Sequence, residues 1–156
     1  MSKPVFVYVT YIASTPDKVF KALTSHEATG RFWFGNAATS DWTVGSPIEF
    51  HREGKLILRG KILENDPPRR LSYTFQPMHE PFNGNEPPSR VVFELEQQKS
   101  QVKLTVIHDD LAEDGRVHAS ISNGWPLVLS NLKSFVETGT PPLYAPWYEK
   151  EEAGAS

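Results

Sequence analysis

The chain predicts an α+β fold in which a curved antiparallel sheet of about six or seven strands wraps around a long C-terminal helix, with two short helices after the first strand. Three observations carry this. Alternating β-type segments run from Ile48 to His108, helix-start signals follow a first β-rich segment, and Ile121, Trp125, Val128, Leu132 and Phe135 form an apolar stripe at spacings of three and four.

From Pro4 to Ile12 the residues are β-branched and aromatic with apolar side chains on both alternating faces, which predicts a strand covered on both sides. Thr15-Pro16-Asp17 then supplies an N-cap, a proline at the first helical position and an acid in the first turn. The helix so started gathers Val19, Phe20, Ala22 and Leu23 on one side. Ser25 to Phe34 predicts a second brief helix that delivers Phe32-Trp33-Phe34 just before a glycine.

Ile48 to Arg52 and Lys55 to Glu64 flank Glu53-Gly54 and predict a hairpin. Asn65 to Arg69 contains Pro67-Pro68 and predicts a break in the ladder, because proline has no N–H to donate; Leu71 to Phe75 then alternates again. Gln76 to Ser89 holds four prolines and Asn83-Gly84-Asn85, the composition of a long surface loop. Arg90 to Gln97 and Gln101 to His108 predict the last hairpin. In the C-terminal helix Pro126 removes one backbone bond, and Gly139 followed by Thr140-Pro141-Pro142 marks the end. The expected organisation is one domain over 1–142 and an aromatic and acidic tail over 143–156 containing Tyr144, Trp147 and Tyr148.

Composition narrows the function. A chain of 156 residues with 38% hydrophobic and 12% aromatic residues can bury a core and is not compositionally disordered. A net charge of −3 with scattered Lys and Arg leaves no footprint for nucleic acid. The absence of Cys excludes disulfides, a thiol nucleophile and thiolate metal sites. No apolar leader and no run long enough for membrane insertion are present, so a soluble, cytoplasmic protein is expected.

The element order is that of a helix-grip fold, and the residues add to it. Ala13-Ser14-Thr15-Pro16-Asp17-Lys18-Val19-Phe20, Arg31-Phe32-Trp33-Phe34-Gly35, Gly60 to Leu71 with its Asn65-Asp66-Pro67-Pro68-Arg69-Arg70 core, His108-Asp109-Asp110-Leu111, and Gly124-Trp125-Pro126-Leu127 stand in that order. This series resembles START-like SRPBCC proteins of the activator of heat-shock chaperone ATPase homologue family, over Val5 to about Pro142. The resemblance implies a helix-grip fold and a choice of roles, from co-chaperone modules to lipid carriers, polyketide cyclases and sequestering proteins, among which fold does not decide. It also makes a Gly-Trp-Pro entry to the helix typical of the family, so that the helix would begin near Pro126.

A sheet gripping a helix leaves space where its curvature exceeds what side chains fill. The expected lining is Phe50, Arg52, Leu58, Tyr73, Phe75, Phe93, His108, Trp125, Leu129 and Leu132, with Trp33 and Phe34 at the mouth, for a small hydrophobic or aromatic ligand. For each aromatic residue, ordinary core packing is the competing use. His108 follows Val102, Leu104 and Val106 on one face, so its ring is expected inside and neutral, as an acid or base or as a hydrogen-bonded structural residue. Arg52 follows Ile48 and Phe50 and would meet an anion inside or reach solvent.

His108-Asp109-Asp110 and His79-Glu80 lack metal-site spacing, and no nucleophile elbow or phosphate or dinucleotide loop occurs; no metal and no cofactor are expected, and binding is favoured over catalysis. The alternatives are a cyclase or hydrolase using the same cavity through His108 and Arg52, and a co-chaperone-like module whose partner is a heat-shock chaperone. The aromatic tail makes a homodimer a candidate assembly.

Overall fold

A computed structural model of the chain describes residues 3–140. The predicted tail over 143–156 lies outside them. The element order is β1 (Phe6–Ile12), α1 (Pro16–Leu23), α2 (His26–Phe32), β2 (Ala37–Ser40), β3 (Pro47–Arg52), β4 (Lys55–Asp66), β5 (Arg70–Pro77), β6 (Ser89–Gln98), β7 (Gln101–Asp109) and α3 (Arg116–Thr138). The seven strands form one sheet in the order β1-β7-β6-β5-β4-β3-β2, antiparallel at every pairing. This is the α+β, helix-grip architecture that the sequence predicts.

Both short helices start as their capping residues dictate. Thr15 accepts from the Lys18 amide ahead of α1, and Ser25 accepts from Ala28 N at 3.0 Å ahead of α2. The apolar side of α1, Val19, Phe20, Ala22 and Leu23, is buried. At α2, buried Thr29 accepts from the Ala38 amide at 2.8 Å, which fixes β2 to the helix before it. β2 was not expected: Ala-Ala-Thr-Ser has no alternation, and its place comes from pairing with β3 and from Thr29.

Three further expectations change. Within the described residues β1 is covered on one face only: Val7, Val9 and Tyr11 point outward and are exposed, because the helices stack on the other face of the sheet. β4 runs on through Asn65 and Asp66, paired with Leu71 and Arg70, so the prolines occupy the turn alone and the ladder survives up to it. Pro126 lies inside one continuous α3 that begins ten residues before it, at Arg116.

Curvature is built into the middle of the sheet. The pairing register shifts between Phe50 and His51 and again between Ile62 and Glu64. Between them lies Gly60, where a Cβ would stand 1.8 Å from the Thr74 carbonyl oxygen, so only glycine permits this approach of β4 and β5.

The concave face holds α3, whose Val117, Ile121, Trp125, Val128, Leu129 and Leu132 are buried. Burying each such side chain contributes about 1.5–3 kcal/mol, which outweighs the local cost of Pro126. Both ends of the helix are tied down. Its first amides, Arg116 N and Val117 N, donate to the Glu86 carboxylate from the β5–β6 connection, doing what the N-cap Gly115 cannot. Near the other end Lys133 Nζ donates to Tyr11 O at 2.7 Å and Glu137 accepts from Ala13 N at 2.7 Å. Gly139, left-handed at φ 84°, closes the helix as predicted.

Candidate functional site

Two neighbouring arrangements occupy the space between sheet and α3: a closed aromatic core and, beside it, an open cavity. In the core Trp33, Phe50, Tyr73, Phe93 and Trp125 form a ring of contacts, with successive centroids 4.8, 6.1, 5.8, 5.7 and 5.2 Å apart on returning to Trp33. Tilted and edge-on aromatic pairs at such separations are favourable beyond their area burial. Leu129 and Leu132 pack into the same core, 1% and 0% exposed.

His108 stands beside this ring in a fully paired chain of hydrogen bonds. Trp125 Nε1 donates to His108 Nδ1 at 3.0 Å. An indole N–H only donates, so Nδ1 carries no proton and the neutral ring holds its proton on Nε2. That nitrogen donates to Ser89 Oγ at 2.7 Å, and the Ser89 hydroxyl donates to the Phe75 carbonyl at 3.1 Å. Burial lowers the His108 pKa to about 4, against the opposing pull of the Asp109 carboxylate and with the help of His118. Neither ring nitrogen is left to serve a substrate. Burial likewise pushes the Tyr73 hydroxyl far above its usual range and keeps it neutral.

The cavity, about 520 Å³, lies on the other side of Trp125 and falls within the ~300–1,000 Å³ of ligand pockets. Trp33 and Phe34 after α2, Arg52 ending β3, Ile57 and Leu58 of β4, and Phe75 and Pro77 of β5 form one side. The middle of α3 forms the other with Ile121, Gly124, Trp125 and Val128, and Ser120 and Asn123 at its edge. The β5–β6 connection closes the mouth with His79, Glu80, Pro81 and Phe82. Phe82 is buried, and Gln76 Nε2 holds the connection through Gly84 O and Glu86 O at 3.3 and 3.0 Å.

Of the residues that the sequence nominates, Trp33, Phe34, Arg52, Leu58, Phe75 and Trp125 line this cavity. Phe50, Tyr73, Phe93, His108, Leu129 and Leu132 stand behind it in the packed core, because the aromatic ring fills the deepest part of the curved sheet. The reading missed Asn36, Ile57, Gly124 and the individual loop residues. Gly124 had a signal of its own, a glycine in the middle of a helical stripe.

Three features give the cavity its chemistry. Its walls are aromatic and aliphatic. Arg52 reaches it from the end of β3, and among the described residues its guanidinium makes no ion pair or hydrogen bond; its stem passes Gly35, where a Cβ would lie 3.4 Å from Arg52 Cγ. Asn36 Oδ1, one residue on, is buried and has no hydrogen-bond partner among the described residues. Among the described residues no three His, Asp or Glu side chains gather where a metal ion could be held. No described helix is long and apolar enough to cross a membrane.

Residues 13–137 match the family described as activator of Hsp90 ATPase homolog 1-like protein. The chain belongs to this family. Solved structures share its fold. The Aha1 dimer from Colwellia psychrerythraea is 23% identical with a TM-score of 0.71, over 87% of this chain and 98% of that one. An HSP90 activator from Plasmodium falciparum is 22% identical with a TM-score of 0.70, over 88% and 97%. DynU16, a putative protein of the dynemicin biosynthetic locus, is 19% identical with a TM-score of 0.72, over 88% of this chain and 48% of that one. Identities this low establish the fold alone. Among curated proteins none matches the chain.

The His108 chain makes stability depend on pH in a defined direction. With a folded pKa of about 4 against 6.5, its contribution is complete above about pH 6.5 and is lost as pH falls from there toward 4, at up to about 1.4 kcal/mol per pH unit. Protonated Nδ1 would face the indole N–H, donor against donor. Denaturant unfolding between pH 7.5 and pH 4.5 is expected to show a steeper loss for the natural protein than for His108→Gln, which keeps an acceptor for Trp125; equal slopes would contradict the assignment.

Proposed function

We propose that the protein is a cytoplasmic binding protein that holds a small hydrophobic or aromatic ligand in the cavity between its sheet and C-terminal helix. The observation that carries this is Gly124. A glycine inside a helix costs about 1 kcal/mol relative to alanine, yet here it lines the cavity, and a Cβ on it would meet nothing within 4 Å. The wall is kept open where packing and helix propensity both favour a larger side chain.

Trp33 and Phe34 after α2 and the 78–88 connection flank the opening, which makes them the elements a ligand would pass. Trp125 has two roles in this reading: one edge belongs to the core and the His108 bond, while the residue also lines the cavity.

Gly124→Leu separates a binding cavity from an incidental gap. Leucine restores helix propensity and projects into open space, so thermal stability is expected to hold or rise. Binding of N-phenyl-1-naphthylamine, a neutral aromatic probe that fluoresces in apolar sites, is expected to weaken at least about tenfold, a loss of about 1.4 kcal/mol. A folded variant that binds the probe as the natural protein does would remove the ligand from this cavity.

A second reading follows from the family description and from the HSP90 activator of P. falciparum: a protein-interaction module acting on a heat-shock chaperone ATPase, with self-association as in the C. psychrerythraea dimer. If it holds, the purified protein raises the turnover of its host chaperone in a steady-state ATPase assay. Unchanged turnover at saturating protein would dispose of it.

A further inference from the structure

Resting on the cavity reading, we propose that the ligand is an aromatic anion, with its acidic group on the Arg52 guanidinium. Arg52 ends β3 half-buried at the cavity, and among the described residues no carboxylate or carbonyl receives its guanidinium. Its charge is permanent and its donors form a planar fork, matched by a carboxylate or sulfonate.

The Asn36 amide N–H is satisfied by Trp33 O at 2.9 Å, while the side-chain oxygen is buried without a donor. Gly35, at φ 87°, turns the chain between Phe34 and Asn36, and the Arg52 stem lies against that turn. Beyond Arg52, Phe75, Trp125, Ile121 and Val128 line the cavity with apolar surface.

Such a cavity distinguishes its ligands by charge as well as by shape. A wholly apolar ligand would leave the Arg52 guanidinium desolvated and unpaired. A cation would face Arg52. Among the residues lining the cavity the carboxylate is Glu80, which is exposed and forms no ion pair with Arg52, so it stays in solvent and is screened.

Two probes that differ by a single charged group test this. 8-Anilinonaphthalene-1-sulfonate places a sulfonate beside its anilino N–H, and N-phenyl-1-naphthylamine is the same ring system without the sulfonate. Fluorescence titration of the natural protein is expected to give a dissociation constant about tenfold lower for the anion, narrowing as salt is raised to about 0.5 M. In Arg52→Gln the ratio of the two dissociation constants should approach one; Arg52→Lys, which keeps the charge and the stem packing on Gly35, should retain part of the preference.

Equal affinities in the natural protein, or a preference that survives Arg52→Gln, would overturn the anion assignment. The cavity reading would then stand wherever the neutral probe still binds and is lost in Gly124→Leu. If neither probe binds, or if the anion binds Gly124→Leu as tightly as the natural protein, both the assignment and the cavity reading fall.

Discussion

The hydrogen bond from Trp125 Nε1 to His108 Nδ1 is the constraint around which the interior is arranged. It joins the middle of α3 to the end of β7 in the least polar part of the molecule, and it can form only if His108 is neutral and protonated on Nε2. Ser89 and the Phe75 carbonyl complete the chain, so three strands and the helix share one polar path with no demand left unmet. With the indole held at that angle, its faces and edges meet Trp33, Phe75 and Phe93. The aromatic ring then fills one side of the grip, and the cavity is what remains on the other.

That division explains how an ordinary hydrophobic core and a ligand cavity share one concave face. Register shifts in β3–β4 and β4–β5, with Gly60 against Thr74, bend the sheet more than α3 alone can cover. Phe50, Tyr73 and Phe93 take up the space near the sheet centre. Toward the β5–β6 connection the helix offers Gly124 instead of a side chain, and the space stays open. Glu86 ties that connection to the first amides of α3, so the mouth of the cavity and the start of the helix are positioned together.

Most of the fold was legible in the sequence because its signals are local. Val102, Leu104, Val106 and His108 alternate, Thr15 caps, and Gly139 terminates, each by chemistry confined to a few residues. β2 was not legible, since Ala37 to Ser40 become a strand only through Thr29 and β3. The outward face of β1 was misjudged because Val7, Val9 and Tyr11 look like core residues in a list of letters and are exposed in space. The cavity wall was half legible. Inward positions on neighbouring strands are equally apolar, so alternation cannot tell Phe75, at the cavity, from Phe93, inside the ring; that distinction depends on sheet curvature and on where Trp125 lies. Arg52 could be nominated from its strand position, whereas the unpaired oxygen of Asn36 is a fact of three dimensions.

The central claim is that the interior is divided by Trp125 into a sealed aromatic core and an accessible cavity. An amide-resolved NMR titration with N-phenyl-1-naphthylamine tests it most directly. The account predicts saturable shifts at Asn36, Arg52, Ile57, Phe82 and Gly124, with the amides of Phe93, Leu104 and Leu132 and the Trp125 indole hydrogen bond undisturbed. Shifts centred on Phe93, Leu104 and Leu132, or loss of the Trp125–His108 bond on binding, would show that the ligand enters the core itself and would contradict the division.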